Sequence, residues 1–163
     1  MRAQETQELR FENDASFEIV SEAPRDVRIR ASDQLDKSNG LHFREWTRPA
    51  GDCFRWSGAR DSVRLPIRIE RGAGVDIDVE VMGTACNPAQ ARLRADGIDV
   101  PTPDGSAAEG YFHLRASLPP VVGQSLILEI SSATRPESQE PGGRNLGLAI
   151  LSVRVVSKDI AHG

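Results

Sequence analysis

Arg144-Asn145-Leu146-Gly147-Leu148-Ala149-Ile150-Leu151-Ser152-Val153-Arg154-Val155-Val156 is the most apolar run of the chain and carries no helix-start signal. Leu146, Leu148 and Ile150 share one parity, and Leu151, Val153 and Val155 share the other. Successive residues of a strand point to opposite faces, so this run fills one face first and then the other. The slip of phase predicts a bulge near Ile150-Leu151, or a strand buried on both faces. Under either reading the segment is a central strand, with the rest of the chain packed around it.

Working outward, Ser131 to Arg144 is polar, with Pro136, Pro141 and two glycines. It reads as a long loop of the kind that is often functional or mobile. Before it, Leu126, Leu128 and Ile130 form one inward face. Phe112, Leu114, Ala116 and Leu118 form another, ended by Pro119-Pro120. Pro101 to Gly110 is a second loop, and Asp96-Gly97 is a turn between short strands at Ala91 to Ala95 and Ile98 to Val100.

The cleanest alternation lies upstream. Val63, Leu65, Ile67 and Ile69 alternate with Arg64, Pro66 and Arg68; after Glu70 to Gly74, Val75, Ile77, Val79 and Val81 alternate with Asp76, Asp78 and Glu80. A hairpin about Gly72 sets Arg68 opposite Asp76 and Arg64 opposite Glu80, giving matched charges on the wet face. The alternative is that the two strands sit in opposite sheets. Phe17/Ile19, Val27/Ile29, Leu41 to Trp46 and Cys53 to Trp56 are further strand candidates, the last leading to a turn at Gly58. Asn39-Gly40 is the sharpest turn signal in Ser32 to Gly40.

The sum is eight to ten short strands, no convincing helix and no internal repeat. That pattern predicts an all-β fold, an antiparallel β-sandwich of jelly-roll-like form with the terminal strands lying centrally. With 163 residues, one domain over residues 14–157 is expected. Residues 1–13 read as a polar tail or frayed strand, and 158–163 as a tail. The net charge of -4 makes nucleic acid and anionic membranes poor partners. No positive n-region leads into an apolar core and no apolar run nears the ~18 residues of a membrane span, so a soluble, cytoplasmic chain is expected. Cys53 and Cys86 fit a disulfide or two free thiols equally well.

Three segments carry a resemblance: Phe54-Arg55-Trp56-Ser57-Gly58, Val63-Arg64-Leu65-Pro66-Ile67, and Arg144-Asn145-Leu146-Gly147-Leu148-Ala149 followed by Val153-Arg154-Val155. Together, over roughly Leu41 to Val156, the chain resembles β-sandwich accessory modules attached to, or encoded beside, bacterial glycosyltransferases of surface-polysaccharide assembly. The resemblance implies a non-catalytic module whose partner is a glycan or a glycosyltransferase. It implies no cofactor and no catalytic residues.

The residues themselves offer Trp46 and Trp56 as binding candidates. Flat aromatic faces stack on sugar rings, with Arg44, Glu45, Asp52 and Arg55 near enough to bond hydroxyls. The structural alternative has Trp56 plugging the core while Arg55 stays on the surface. Arg144 suits a bidentate clamp for carboxylate or phosphate, or a tie between the long loop and Glu137 or Glu140. Gly147 is expected to admit a close neighbour. Glu45 and Asp52 are the carboxylates a small carbohydrate-active enzyme would use. A third reading is a structural assembly domain that pairs a sheet edge with another copy. Asp96, Asp99 and Asp104 read as turn chemistry more readily than as calcium ligands. His42, His113 and His162 lack metal-ligand spacing, and Cys53 has no histidine partner in its motif.

Overall fold

The computed structural model describes residues 22–47, 51–85, 90–101, 107–108 and 111–159. Within them lie thirteen strands: β1 (Asp26–Arg30), β2 (Glu45–Trp46), β3 (Cys53–Trp56), β4 (Val63–Arg68), β5 (Val75–Thr84), β6 (Arg92–Ala95), β7 (Ile98–Val100), β8 (Ala107–Ala108), β9 (Tyr111–Leu118), β10 (Ser125–Ser131), β11 (Arg135–Pro136), β12 (Asn145–Leu146) and β13 (Leu148–Ser157). Nine have three residues or more, and four have only two. The helical content of the described residues is one 3-10 turn, Lys37–Asn39, closed by Gly40 at φ 93°.

Two antiparallel sheets form the sandwich. The larger has seven strands in the order β2-β3-β13-β5-β9-β8, with β1 also on β13; the smaller runs β4-β10-β6-β7. β3 pairs with Ala149 and Ile150 on one edge of β13, β1 with Ser152 to Val156 on the same edge, and β5 along the other. β13 is thus the central strand its composition demands. Its register against β5 slips on both sides of Ile150, leaving Met82 and Leu151 outside the pairing. The extra residue at Leu151 resets the parity, so Val153 and Val155 join Leu148 and Ile150 in the core.

The hairpin expected about Gly72 does not form. β4 pairs with β10 in the smaller sheet, so Arg64 faces Glu129 and Arg68 faces Ser125. Glu70 to Gly74 instead carries the chain across to β5 in the larger sheet. Each exposed ion pair of the hairpin would have been worth ~0–1 kcal/mol. Facing the sheets buries Val63, Leu65 and Ile67 against Ile77, Val79 and Val81, and full burial of one such side chain is worth ~1.5–3 kcal/mol. Arg71 secures the crossing: its buried Nη1 donates to the Asp96 carboxylate at 2.6 Å and to the Ser125 carbonyl at 2.8 Å. Pro66 has no N–H to give, and β4 is an edge strand, where that lack is tolerated.

The other turns follow local chemistry. Asp96 and Gly97 both have positive φ, 52° and 84°, as a two-residue hairpin between β6 and β7 requires. The stretch Ser131 to Arg144 is more ordered than a plain loop: β11 pairs with β12, and the Glu137 N–H donates to the Arg144 carbonyl at 2.7 Å. Of Leu41 to Trp46, only Glu45–Trp46 is a strand, while Leu41 makes an isolated bridge to Ser57. Phe17/Ile19, Cys86, Asp104 and both expected terminal tails lie wholly or mostly outside the described residues, as does most of Pro101 to Gly110. No helix among the described residues is long and apolar enough to cross a membrane.

Candidate functional site

The β2–β3 ribbon holds most of the residues singled out from sequence. Glu45 lies opposite Phe54, and Trp46 opposite Cys53. Cross-strand partners share a face, so Glu45, Phe54 and Trp56 fall on one side and Trp46, Cys53 and Arg55 on the other. Phe54 and Trp56 meet edge to face, with centroids 6.1 Å apart.

Arg144 organises the first side. Its Nε and Nη2 donate to the two oxygens of Glu137 at 3.0 and 2.7 Å, and its Nη1 donates to Glu45 at 2.7 Å. The guanidinium carbon lies 4.8 Å from the ring centroid of Phe43, which is 65% exposed. The Glu137 and Glu45 bonds raise the Arg144 pKa further above its ordinary value, and the Arg144 bond holds the Glu137 carboxyl below its own. Such a guanidinium ties the 137–144 loop to β2, leaving its fork filled by the protein's own carboxylates.

Backbone packing locks the same corner. Gly147 N–H donates to the Ser57 carbonyl at 3.0 Å, and Leu148 N–H to Ser57 Oγ at 2.8 Å. A Cβ on Gly147 would stand 2.5 Å from Ser57 Oγ and 2.6 Å from Ser132 Oγ, so the close neighbours of this glycine are two hydroxyls. Two of the three motif segments, Phe54 to Gly58 and Asn145 to Ala149, therefore run side by side, while Val63 to Ile67 lies in the opposite sheet.

Trp46 is 59% exposed at the end of the ribbon. Trp56 is half-buried and stands outside the core cluster. Arg55 turns inward instead, donating to the carbonyls of Ala31 at 2.8 Å and Asp33 at 3.0 Å beside Val63, Leu65 and Ile150. Burial, with Arg44 nearby, lowers its pKa. Trp56 therefore does not plug the core, and Arg55 is half-buried like it: Ile150 is the cross-strand partner of Arg55, and Ala149 that of Trp56.

Glu45 and Asp52 make separate contacts. Glu45 is bonded to Arg144, whereas Asp52 accepts from the Tyr111 hydroxyl at 3.1 Å. Asp96 accepts from Arg71 and from the Ile127 N–H at 2.9 Å, and Asp99 pairs with Arg94 at 3.3 Å. Among the described residues, no three His, Cys, Asp or Glu side chains are grouped to hold a metal. Cys53 is a free, half-buried thiol whose pKa is pushed up by burial, the wrong direction for a nucleophile.

The outer face of the larger sheet adds a feature that the motifs did not flag. The register sets Arg30, Ser152, Glu80 and His113 in one row across β1, β13, β5 and β9. Beside it, Arg28, Arg154, Asp78 and Arg115 form the next row. A crevice of about 290 Å³ opens where Arg28, Arg30, Glu80 and Ser152 meet Asp52, Cys53 and Tyr111. The alternation Val27/Ile29 already put Arg28 and Arg30 on the wet face. Nothing in the chain order shows that Glu80 and Tyr111 join them.

Fold and site together define a two-sheet β-sandwich with an exposed aromatic ribbon beside a charged sheet face. Scanned against the models of known protein families the chain matches none, and no curated protein matches it either.

The surface ion pairs predict an acid-sensitive fold. The Arg154 hydrogen bond holds Asp26 below the usual carboxylate range, as Arg144 does for Glu137. For Asp96, burial pushes the pKa up, but the Ile127 amide and Arg71 outweigh it and the net shift is down. A folded pKa below the unfolded one gives stability that is present above about pH 4 and lost as pH falls through the folded value. The urea midpoint is expected to be level from pH 7 to 5 and to fall between pH 4 and 2. A midpoint that holds steady to pH 2 would contradict these pairings.

Proposed function

We propose that this β-sandwich is a non-catalytic module that binds carbohydrate, with Trp46 as the platform on which a sugar ring stacks. The observation that carries the reading is the exposure of Trp46 on a ribbon braced from its other side by Arg144, beside a crevice lined by polar groups. An exposed indole fixed on a two-stranded ribbon loses little freedom when a ring settles on it. The two carboxylates that hydrolysis would need are each bonded to a different protein donor, which favours holding a glycan over cleaving one. The resemblance to glycosyltransferase-associated modules supplies the expected setting, polysaccharide assembly. Strand addition at the edges of the smaller sheet is less favoured, because β7 is very short and β4 is interrupted by Pro66.

Trp46→Ala is expected to weaken glycan binding tenfold or more, about 1.4 kcal/mol, while leaving the thermal midpoint within a degree or two. Affinity on a glycan array, measured beside a melting curve for each variant, checks both halves. Unchanged binding in a folded Trp46→Ala protein would remove Trp46 from the site.

A further inference from the structure

Two concavities lie on the outer face of the larger sheet, and they differ in how their charges are used. The larger, about 770 Å³, is lined by Asp76, Asp78, Arg115, Ser117 and Arg154. Its groups are bonded within the protein: Arg154 forks onto Asp26 at 3.0 and 2.6 Å, Asp78 pairs with His113 at 2.8 Å, and Asp76 accepts from Ser117 at 2.6 Å. In the 290 Å³ crevice the carboxylates also accept from the protein, Glu80 from Ser152 Oγ at 3.5 Å and Asp52 from Tyr111, and the difference lies in the arginines. Among the described residues no carboxylate lies within ion-pair distance of Arg28 or Arg30; Arg28 acts on Asp26 only at longer range, and both arginines line a cavity that also holds Glu80 and Asp52.

The sheet explains that separation. Arg30 on β1 and Glu80 on β5 flank Ser152 on β13, and two strand spacings put them about 9–10 Å apart. The small side chain of Ser152 leaves the floor between them low. Tyr111 and Asp52, bonded to each other at 3.1 Å, close one wall. Cys53 lines the same crevice and is the cross-strand partner of Trp46, which places β2 one strand beyond it. Guanidinium groups at one end match a carboxylate, and carboxylate oxygens at the other accept from sugar hydroxyls. A lone exposed arginine would signify nothing. Two on one strand, lining a cavity with hydroxyl acceptors opposite and the Tyr111 ring in its wall, make a polarised site.

We infer that the crevice binds a sugar residue bearing a carboxylate, a uronic or nonulosonic acid, with the acid on Arg28 and Arg30 and the ring hydroxyls on Glu80 and Asp52. This rests on the carbohydrate reading above and narrows it to acidic glycans. The crevice is at the small end of ligand pockets, which run from about 300 to 1,000 Å³, and that suits one sugar residue held at a time.

The test is an array of acidic glycans, each printed beside its carboxyl-reduced counterpart, probed with the full chain, with Arg28→Gln and Arg30→Gln, and with Arg115→Gln as a control outside the crevice. The expected result is a preference of tenfold or more for at least one acidic glycan over its reduced partner, lost in both crevice variants and kept in Arg115→Gln. Equal binding of acidic and reduced glycans, unaltered in the crevice variants, would overturn the acid site and leave sugar binding standing. Binding of no glycan by the folded protein would overturn both. Complete displacement by equimolar inorganic phosphate would also sink the proposal, since it would mark a simple anion site.

Discussion

Replacing Leu128 by alanine is expected to lower the unfolding free energy by about 2–5 kcal/mol, a large share of the ~5–15 kcal/mol that holds a domain together. Leu128 is fully buried at the middle of β10. It is flanked by Leu65 on β4 and Ala95 on β6, so it has a neighbouring strand on each side and the opposite sheet above it. The surrounding strands are fixed by their hydrogen bonds and cannot collapse far into the space left, which is why the cavity adds to the lost transfer energy. Ile127, its neighbour in sequence, is half-buried on the other face of β10 beside Pro66 and Gln124. Ile127→Ala is expected to cost less than half as much. Urea denaturation of both variants decides the point, and equal losses would mean that β10 does not present the face described.

Gly58→Ala is expected to cost about 3 kcal/mol or more, from two sources acting together. Gly58 has φ +115°, a region that L-residues avoid, and a Cβ there would overlap the backbone carbonyl of Asn145. The carbonyl belongs to β12, which β11 and the Arg144 network hold in place, so it has no cheap way to move. Gly97→Ala isolates the first source. Gly97 has φ +84°, but nothing lies within 4 Å of its would-be Cβ. Only the dihedral penalty applies there, about 1–2 kcal/mol. If the two substitutions prove equally costly, the close approach of Gly58 to β12 is not real. A broadened Trp46 environment in Gly58→Ala would further show that the corner supports the ribbon.

Much of the fold was legible because a strand prints its two faces into the chain. Leu126, Leu128 and Ile130, and again Val75, Ile77, Val79 and Val81, could only be inward faces, and all are buried. The change of parity at Ile150-Leu151 marked a bulge that the β5–β13 register contains. The site was legible in part. Trp46 and Arg144 were singled out, but whether a guanidinium is free or already held by Glu45 and Glu137 depends on contacts 99 and 7 residues apart in the chain. Whether Trp56 plugs the core was not legible, because parity names two faces without saying which is inside; Trp56 and Arg55 are both half-buried. That choice was made by the pairing of Arg55 with Ile150.

By itself, then, the sequence determined the all-β class, the longer strands and their greasy faces, and the turn at Asp96-Gly97. Those are local matters, settled by side-chain alternation and allowed dihedrals. Only the tertiary structure decided that β4 and β5 belong to opposite sheets, and that Arg28, Arg30, Glu80 and Tyr111 share one crevice. Strand pairing joins residues far apart in the chain, and its free energy comes from burying whole faces together, a sum that no single segment encodes.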